Sequence, residues 1–417
     1  MRAVWLERAL HVVVLLGLAF LCIGYARTPP EDLRGYLAAG NAVIARRDIY
    51  GSLPAGVNTW PPFFSLLCAP LALFDRFSDF LLRYFWAGLN FGALILALDL
   101  VSRAVFARSI ASVGERKNAP FGFFQMFVPL ILTLPYVVSN LEHQQVSILI
   151  FSLVLAGLIL EEKGRPALGA LALGLVIAMK IMPAIFLFYW AYRQRWRAAI
   201  LGTIAALAFS ASPILIYGGA QFRRDVAAWF SVVRRGWGAG SLNLSPLAML
   251  DRMIGHKLVP FLSPGVEHLD YSGVPIVRIL WIFLLMTIGF LCFLSFRREK
   301  GPGVWGTRAE WSAVFLFSAL AGPVMWKHYL VVALLGNATL WGAWLSRTLS
   351  ARGRREIPAI LTVCFMMSLP MLPDWLGQSL IRRLEMSSIV TDAGLLLLCT
   401  LLWFRFRVGD LAESRES

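Results

Sequence analysis

Apolar residues along this chain fall into long blocks instead of one-sided stripes. The blocks lie at roughly 9–26, 80–102, 121–139, 146–160, 167–179, 182–192, 198–217, 275–296, 310–324, 328–346, 357–373 and 388–404. A helix needs about 20 apolar residues to cross a bilayer. The pattern therefore predicts an all-α polytopic membrane protein of about twelve transmembrane helices, two of them short. The first block is followed by Ala26-Arg27-Thr28 and two prolines. Its apolar run is long for a signal peptide, so it is expected to be a retained first span.

Basic residues orient the blocks. The connections 27–79, 140–145, Lys180, 218–274, 325–327 and 374–387 carry 5, 0, 1, 6, 1 and 2 Lys or Arg, whereas the alternate connections and both termini carry 22 over about half the length. Positive charge holds short loops in the cytoplasm. The asymmetry predicts both termini in the cytoplasm and two long outer loops, 27–79 and 218–274. Residues 60–74 are apolar but short and begin at Trp60-Pro61-Pro62. A full crossing there would push the basic 103–118 loop outside, so a re-entrant or juxtamembrane helix is expected instead. Within 169–192 two short helices meet near Lys180 and Pro183, giving a hairpin with the lysine at its outer tip. Between Asp32 and Arg47, Asp32, Tyr36 and Ala39 recur at helical spacing, as do Leu33, Leu37 and Ile44 on another face. That helix is expected along the outer membrane surface.

Composition agrees with a membrane solvent. Of the 417 residues 58% are hydrophobic and 15% charged, against roughly 45–50% and 25% in soluble domains. A net charge of +15 first suggests nucleic acid, but the cations are confined to loops between apolar blocks. The charge reads as topology, with membrane lipids as the surroundings and no nucleic-acid partner. Cys22, Cys68, Cys292, Cys364 and Cys399 stand singly in apolar stretches, without metal-ligand spacing or a disulfide framework.

Polar residues gather at the predicted outer ends of the spans: Glu31, Asp32, Asn58, Glu142, His143, Gln144, Gln145, Lys180, Asn243, Arg252, Lys327 and His328. Each alone could cap a helix at the interface. Carboxylates and cations from at least four segments would share one external cavity, and ionisable groups at membrane depth are costly and usually functional.

These segments resemble a known family. "EDLRGYLAAGNAVIARRDIYGS" followed by "WPPFFSLLCAPLALF" is similar to the first outer loop of glycosyltransferase family 87, membrane mannosyltransferases of the GT-C superfamily. "NLEHQQVSILIFSLVLAGL" resembles the family's Asn…Gly-Gln-x-Asn/Ser stretch, with His143 where glycine is usual. "GALALGLVIAMKIMPAIFLFYWAYRQRWRA", "SLNLSPLAMLDRMI" and "GPVMWKHYLVVALL" resemble three further segments in the family's order. The resemblance covers most of 1–346. It implies a GT-C-like fold with an N-terminal catalytic module over 1–217, a large outer loop over 218–274 and C-terminal transmembrane helices over 275–417.

The resemblance also implies a reaction: a sugar, mannose, passes from a polyprenyl-phosphate donor to a lipid or glycan acceptor on the outer face of the cell membrane, with inversion. No cofactor or metal is called for. Asp32 would be the base, although an aspartate after Pro-Pro also suits an N-cap, and Glu31 is its solvated neighbour. Lys327, His328 and Lys180 would meet the donor phosphate; a snorkelling lysine, an interfacial histidine and a hairpin anchor are the plainer alternatives. Tyr36, Trp60, His143, Gln144, Asn243 and Arg252 would line the substrate site, with Trp326 as a further stacking surface; interfacial aromatics are the ordinary alternative for the rings. A transporter or lipid flippase is the rival reading. It calls for matching broken helices in two halves, and only one broken pair, around Lys180, is present.

Overall fold

All regular elements among the described residues are helical. The structure, a computed structural model, describes residues 2–29, 32–51, 58–110, 122–235, 243–255, 275–297, 303–346, 349, 351–369, 384 and 387–413. Glu31 and, within the 218–274 loop, residues 236–242 and 256–274 lie outside the described residues.

Chain contacts group into two units, Met1–Leu100 with Asn140–Gly236, and Val101–Ser139 with Trp237–Ser417. The first holds α1 (Arg2–Ala26), α2 (Asp32–Ile44), α3 (Pro62–Phe77) and most of α4 (Asp79–Phe106). The last residues of α5 (Gly122–Glu142) lead back into it, followed by α6 (Ser147–Glu162), α7 (Pro166–Met179), α8 (Ile185–Tyr192), α9 (Trp196–Ala211) and α10 (Ile214–Arg235). The second unit holds most of α5, then α11 (Pro246–Leu250), α12 (Pro275–Phe296), α13 (Gly303–Leu320), α14 (Ala333–Leu345), α15 (Ala351–Ser368) and α16 (Ile389–Glu413).

Among the described residues four helices, against the twelve blocks expected, are long and apolar enough to cross a membrane: Ala9–Ala26, Asp79–Phe106, Pro275–Phe296 and Ile389–Arg407. A bent pair, α9 with α10 at 87°, would make a fifth. The chain is a multi-pass membrane protein. Ile279, Phe283, Met286 and Phe290 recur along α12 and are all exposed. An apolar stripe turned outward is what a hydrocarbon solvent permits and water does not. Only 22% of the apolar window of α12 is buried, against 61% for α16, which packs on α13, α15 and α12. The second unit also encloses an ion pair, Arg405 Nε to Glu310 Oε1 at 2.6 Å, with both side chains at 1% exposure or less.

In the first unit, small residues let helices approach closely. A Cβ on Gly169 would sit 2.5 Å from the Gly157 carbonyl oxygen, so α6 and α7 meet backbone to backbone. A Cβ on Gly40 would fall 2.3 Å from the carbonyl oxygen of Cys68 on α3. No side-chain rotation relieves a clash with a main-chain atom. Gly40→Ala is expected to cost about 1–3 kcal/mol by pushing α2 off α3, read as a lower thermal midpoint in detergent. An unchanged midpoint would show that the two helices can separate freely.

The expected break within 169–192 is present. α7 stops at Lys180, whose extended backbone (φ −155°, ψ 118°) still donates its N–H to the Val176 carbonyl at 2.8 Å. A 3₁₀ turn at Met182–Ala184 containing Pro183 then leads into α8.

Candidate active site

Four loop-proximal segments of the first unit build one polar cluster. Asp32 opens α2, where the unpaired N–H groups and positive end of a helix suit a carboxylate. Tyr36, one turn later on the same face, is buried at 1% exposure. The helix ends soon after Ile44, with Arg46 in the left-handed region (φ 51°).

A stapled loop follows. Asp48 Oδ1 accepts from the Tyr50 and Gly51 N–H groups at 2.9 Å, closing an Asx turn. Asn58, buried, donates to the Ile49 carbonyl at 2.8 Å and to Ser65 Oγ at 3.0 Å. Its Oδ1 accepts from the Trp60 N–H at 3.2 Å, and the Tyr50 hydroxyl donates to the Trp60 carbonyl at 2.6 Å. Trp60 is thereby held just ahead of the Pro61-Pro62 start of α3, where proline suits the first helical position.

The third segment is the turn between α5 and α6. Asn140 Nδ2 donates to Asn90 Oδ1 at 2.9 Å and to the Gln145 carbonyl at 3.2 Å. The Trp86 indole donates to the Gln144 carbonyl at 2.8 Å. Gln144 adopts φ 52°, so the left-handed position falls one residue after His143. The turn presents Gln145 inward: its Oε1 accepts from the Tyr36 hydroxyl at 2.7 Å, and its Nε2 donates to Asp32 Oδ2 at 2.5 Å.

Lys180 is the fourth contribution. Its Nζ lies 5.1 Å from the centre of the Trp60 ring. Burial pushes the ammonium down to about 7, partly offset by the Asp32 carboxylate, which favours the charged form. The aromatic wall around Tyr36 consists of Trp60 at 5.4 Å, Phe64 at 5.1 Å and Trp86 at 5.7 Å between ring centres. A carboxylate and a cation are thus brought to a wall of edge-on and tilted rings, a combination suited to a sugar and its leaving group.

Not every candidate joins this cluster. His143 is half-buried on the same turn. The Gln144 side chain donates to the Tyr25 carbonyl at 3.1 Å. Asn243, Arg252, Lys327 and His328 belong to the second unit. There Asn243 Oδ1 accepts from the Ser245 and Met325 N–H groups, and its Nδ2 donates to the Pro323 carbonyl at 3.2 Å. Arg252 donates to the Asn243 carbonyl and to Ser388 Oγ, both at 2.8 Å. Lys327 and His328 open a 3₁₀ turn, Lys327–Val332, with His328 buried and Lys327 half-buried. Among the described residues no group of three or more His, Cys, Asp or Glu is placed to hold a metal ion.

Sequence reasoning left Gln145 out of the candidate site in favour of its neighbour. The available signal was spacing: Gln145-Val146-Ser147 fits a Gln-x-Ser pattern, and Gln144 does not. Trp86 and Phe64 were also missed, because within apolar blocks they look like any span residue.

Fold and site together define a multi-pass membrane protein with an aromatic-walled polar site on its interhelical loops. The chain belongs to glycosyltransferase family 87, whose profile matches residues 58–323, and is a membrane glycosyltransferase of the GT-C superfamily. That match takes in Trp60, His143, Gln144, Gln145, Lys180, Asn243 and Arg252 and leaves Asp32, Tyr36, Lys327 and His328 outside it. A polyprenol-phosphate-mannose-dependent alpha-(1-2)-phosphatidylinositol mannoside mannosyltransferase of Mycobacterium tuberculosis is 25% identical over 372 residues, 80% of this chain and 77% of that protein. Its namesake in Mycolicibacterium smegmatis is 33% identical over 211 residues, 49% of this chain and 44% of that protein. Among solved structures, ArnT from Cupriavidus metallidurans bound to undecaprenyl phosphate aligns over 95% of this chain and 77% of its own, with 14% identity and a TM-score of 0.45.

Proposed function

We propose that the protein transfers one mannose from a polyprenyl-phosphate donor to a lipid or glycan acceptor at the outer face of the membrane, inverting the anomeric centre. The observation that carries this reading is the cluster of Asp32, Gln145, Tyr36, Trp60 and Lys180, taken with family membership. Asp32 takes the proton of the attacking hydroxyl while the phosphate leaves from the opposite side of the sugar. Lys180, Lys327 and His328 supply positive charge to that phosphate, and Tyr36, Trp60, His143, Gln144, Asn243 and Arg252 shape the sugar and acceptor sites. The 1–217 segment is the catalytic module, followed by the outer loop to 274 and the C-terminal spans.

The deciding experiment incubates purified protein in lipid with radiolabelled polyprenyl-phosphate sugars and candidate acceptors. Label should leave the polyprenyl phosphate for the acceptor. Label that crosses the bilayer still attached to its lipid would support the flippase reading instead.

Twelve crossings complete the proposal, α6 and the α7–α8 hairpin among those too short for a standard span. Lys and Arg density then puts a reporter fused after Ser350 in the cytoplasm and one inserted near Gly265 outside. Both reporters on one side would overturn this count.

Lys180 gives the reaction a pH signature. The ammonium is charged below about 7 and loses its proton as pH rises through that value. For donor capture, kcat/KM should therefore fall on the alkaline side of neutrality, about tenfold per pH unit, because it reports the free enzyme. Lys180→Arg stays charged and should flatten that limb. The same limb in both proteins would remove Lys180 from phosphate binding.

A further inference from the structure

A carboxylate offers only acceptors, a phenol both donates and accepts, and a primary amide does each from a different end. Where Gln145 lies between Asp32 and Tyr36, these rules allow one arrangement. Turning the amide over would set its carbonyl against the Asp32 carboxylate, two acceptors face to face. The Val146 N–H, which can only donate, gives to Gln145 Oε1 at 3.4 Å, and the Tyr36 hydroxyl joins it at 2.7 Å; together they hold the orientation that sends the NH₂ group to Asp32 Oδ2. Tyr36 is anchored in its turn by burial among Trp60, Phe64 and Trp86. Gln145 is itself buried at 4% exposure, on a turn stapled by Asn140 and Trp86. A buried amide bridging these two groups, with its own turn locked, is more than packing requires.

We propose that Gln145 is a positioning residue for sugar transfer: it holds the Asp32 carboxylate in one orientation and in its ionised form. This rests on the reading of Asp32 as the base. In the step it serves, the acceptor oxygen forms a bond to the anomeric carbon and its proton passes to the Asp32 carboxylate. The bond from the anomeric carbon to the phosphate oxygen breaks, and its electron pair leaves on the phosphate. A hydrogen bond donated to a carboxylate favours the charged form, so the amide keeps the base ready before the acceptor arrives. Among the described residues, the titratable groups on the segments that form this arrangement include Lys180 from the α7–α8 connection, Tyr36 on α2 itself, Glu142 at the end of α5 and His143 on the turn that carries Gln145.

The test compares steady-state transfer by full-length wild type, Gln145→Ala, Gln145→Glu and Tyr36→Phe in lipid, with polyprenyl-phosphate mannose as donor and pH varied. In Gln145→Ala the acid limb of kcat should move up by about one pH unit. At neutral pH kcat should drop by about 10- to 100-fold while donor KM stays within a factor of about two. Gln145→Glu should move the limb further, because two carboxylates then compete for one proton. Tyr36→Phe, which removes one of the two groups orienting the amide, should shift it in the same direction by less. Should Gln145→Ala fail to fold, the other two variants decide. An unmoved acid limb, or a raised donor KM with kcat intact, overturns the proposal. Asp32→Asn separates the two failures. If it is inactive while the Gln145 variants keep the wild-type limb, only the positioning role falls. If it is active, the base assignment falls and this inference with it.

Discussion

Asp32→Asn is expected to leave the protein folded and donor-binding while transfer falls by about 10²–10⁴-fold, the usual contribution of a general base. Asparagine keeps the size of aspartate and is its equal as a helix cap, so the start of α2 should survive. Its carbonyl oxygen can still accept from Gln145 Nε2, which preserves the contact to the α5–α6 turn. What it cannot do is take a proton. A pure capping role for Asp32 therefore predicts wild-type kinetics, and a base role predicts near-zero product with retained polyprenyl-phosphate-sugar binding. The neighbouring Glu31→Gln provides the comparison. If that variant loses transfer while Asp32→Asn keeps it, the base is the preceding residue. Normal transfer by both would take the base out of this loop altogether.

How the sequence announced this cluster, and where it fell short, follows from the range of each interaction. Local signals worked. Pro-Pro ahead of Asp32 and the repeat of Tyr36 and Ala39 predicted a helix over 32–47, and the helix runs Asp32–Ile44 with both buried. A lysine and a proline inside an apolar run predicted the broken α7–α8 pair, and the break falls at Lys180. The span predicted at 275–296 is helix Pro275–Phe296. Apolar block length was less informative about crossings: 328–346 divides into a 3₁₀ turn and α14, and 198–217 is broken by the bend between α9 and α10. Hydropathy records that residues avoid water, and a short buried helix does so as well as a spanning one. Partners distant in sequence were not legible. Gln145 reaches Asp32 across 113 positions, and only the loose Gln-x-Ser spacing separates it from Gln144. Both side chains are buried, but Gln145 meets Asp32 and Tyr36 whereas Gln144 meets the Tyr25 carbonyl. Asn243 and Arg252 were read as substrate ligands from polarity and the family-like segment around them; the long-range bonds they make to Pro323, Met325 and Ser388 were not legible there.

Lys327→Ala and His328→Ala are each expected to lower transfer by about 10²-fold or more, by removing positive charge from the departing phosphate. The turn that carries them is held from outside itself. Leu244 donates its N–H to the Met325 carbonyl at 2.8 Å, Met325 donates its own to Asn243 Oδ1 at 3.1 Å, and Ser245 Oγ donates to the Pro323 carbonyl at 2.9 Å. These bonds fix the backbone up to Met325, and Trp326 then enters the 3₁₀ turn from an extended conformation. A lysine and an imidazole are thus presented on a fixed backbone, and stabilisation that needs no reorganisation as charge develops is the most effective kind. The loss should appear in kcat, since the leaving group gains its full charge only in the transition state. A fall confined to donor KM would instead mark these residues as ground-state anchors. Asn243→Ala tests the support directly. It keeps Lys327 and His328 but frees the Met325 N–H, so it should lower kcat without removing any charge, and a gentle Lys327→Arg exchange should retain most of the rate. Unchanged kinetics in both alanine variants, with normal expression, would place the phosphate contacts elsewhere and leave Lys180 as the cation to pursue.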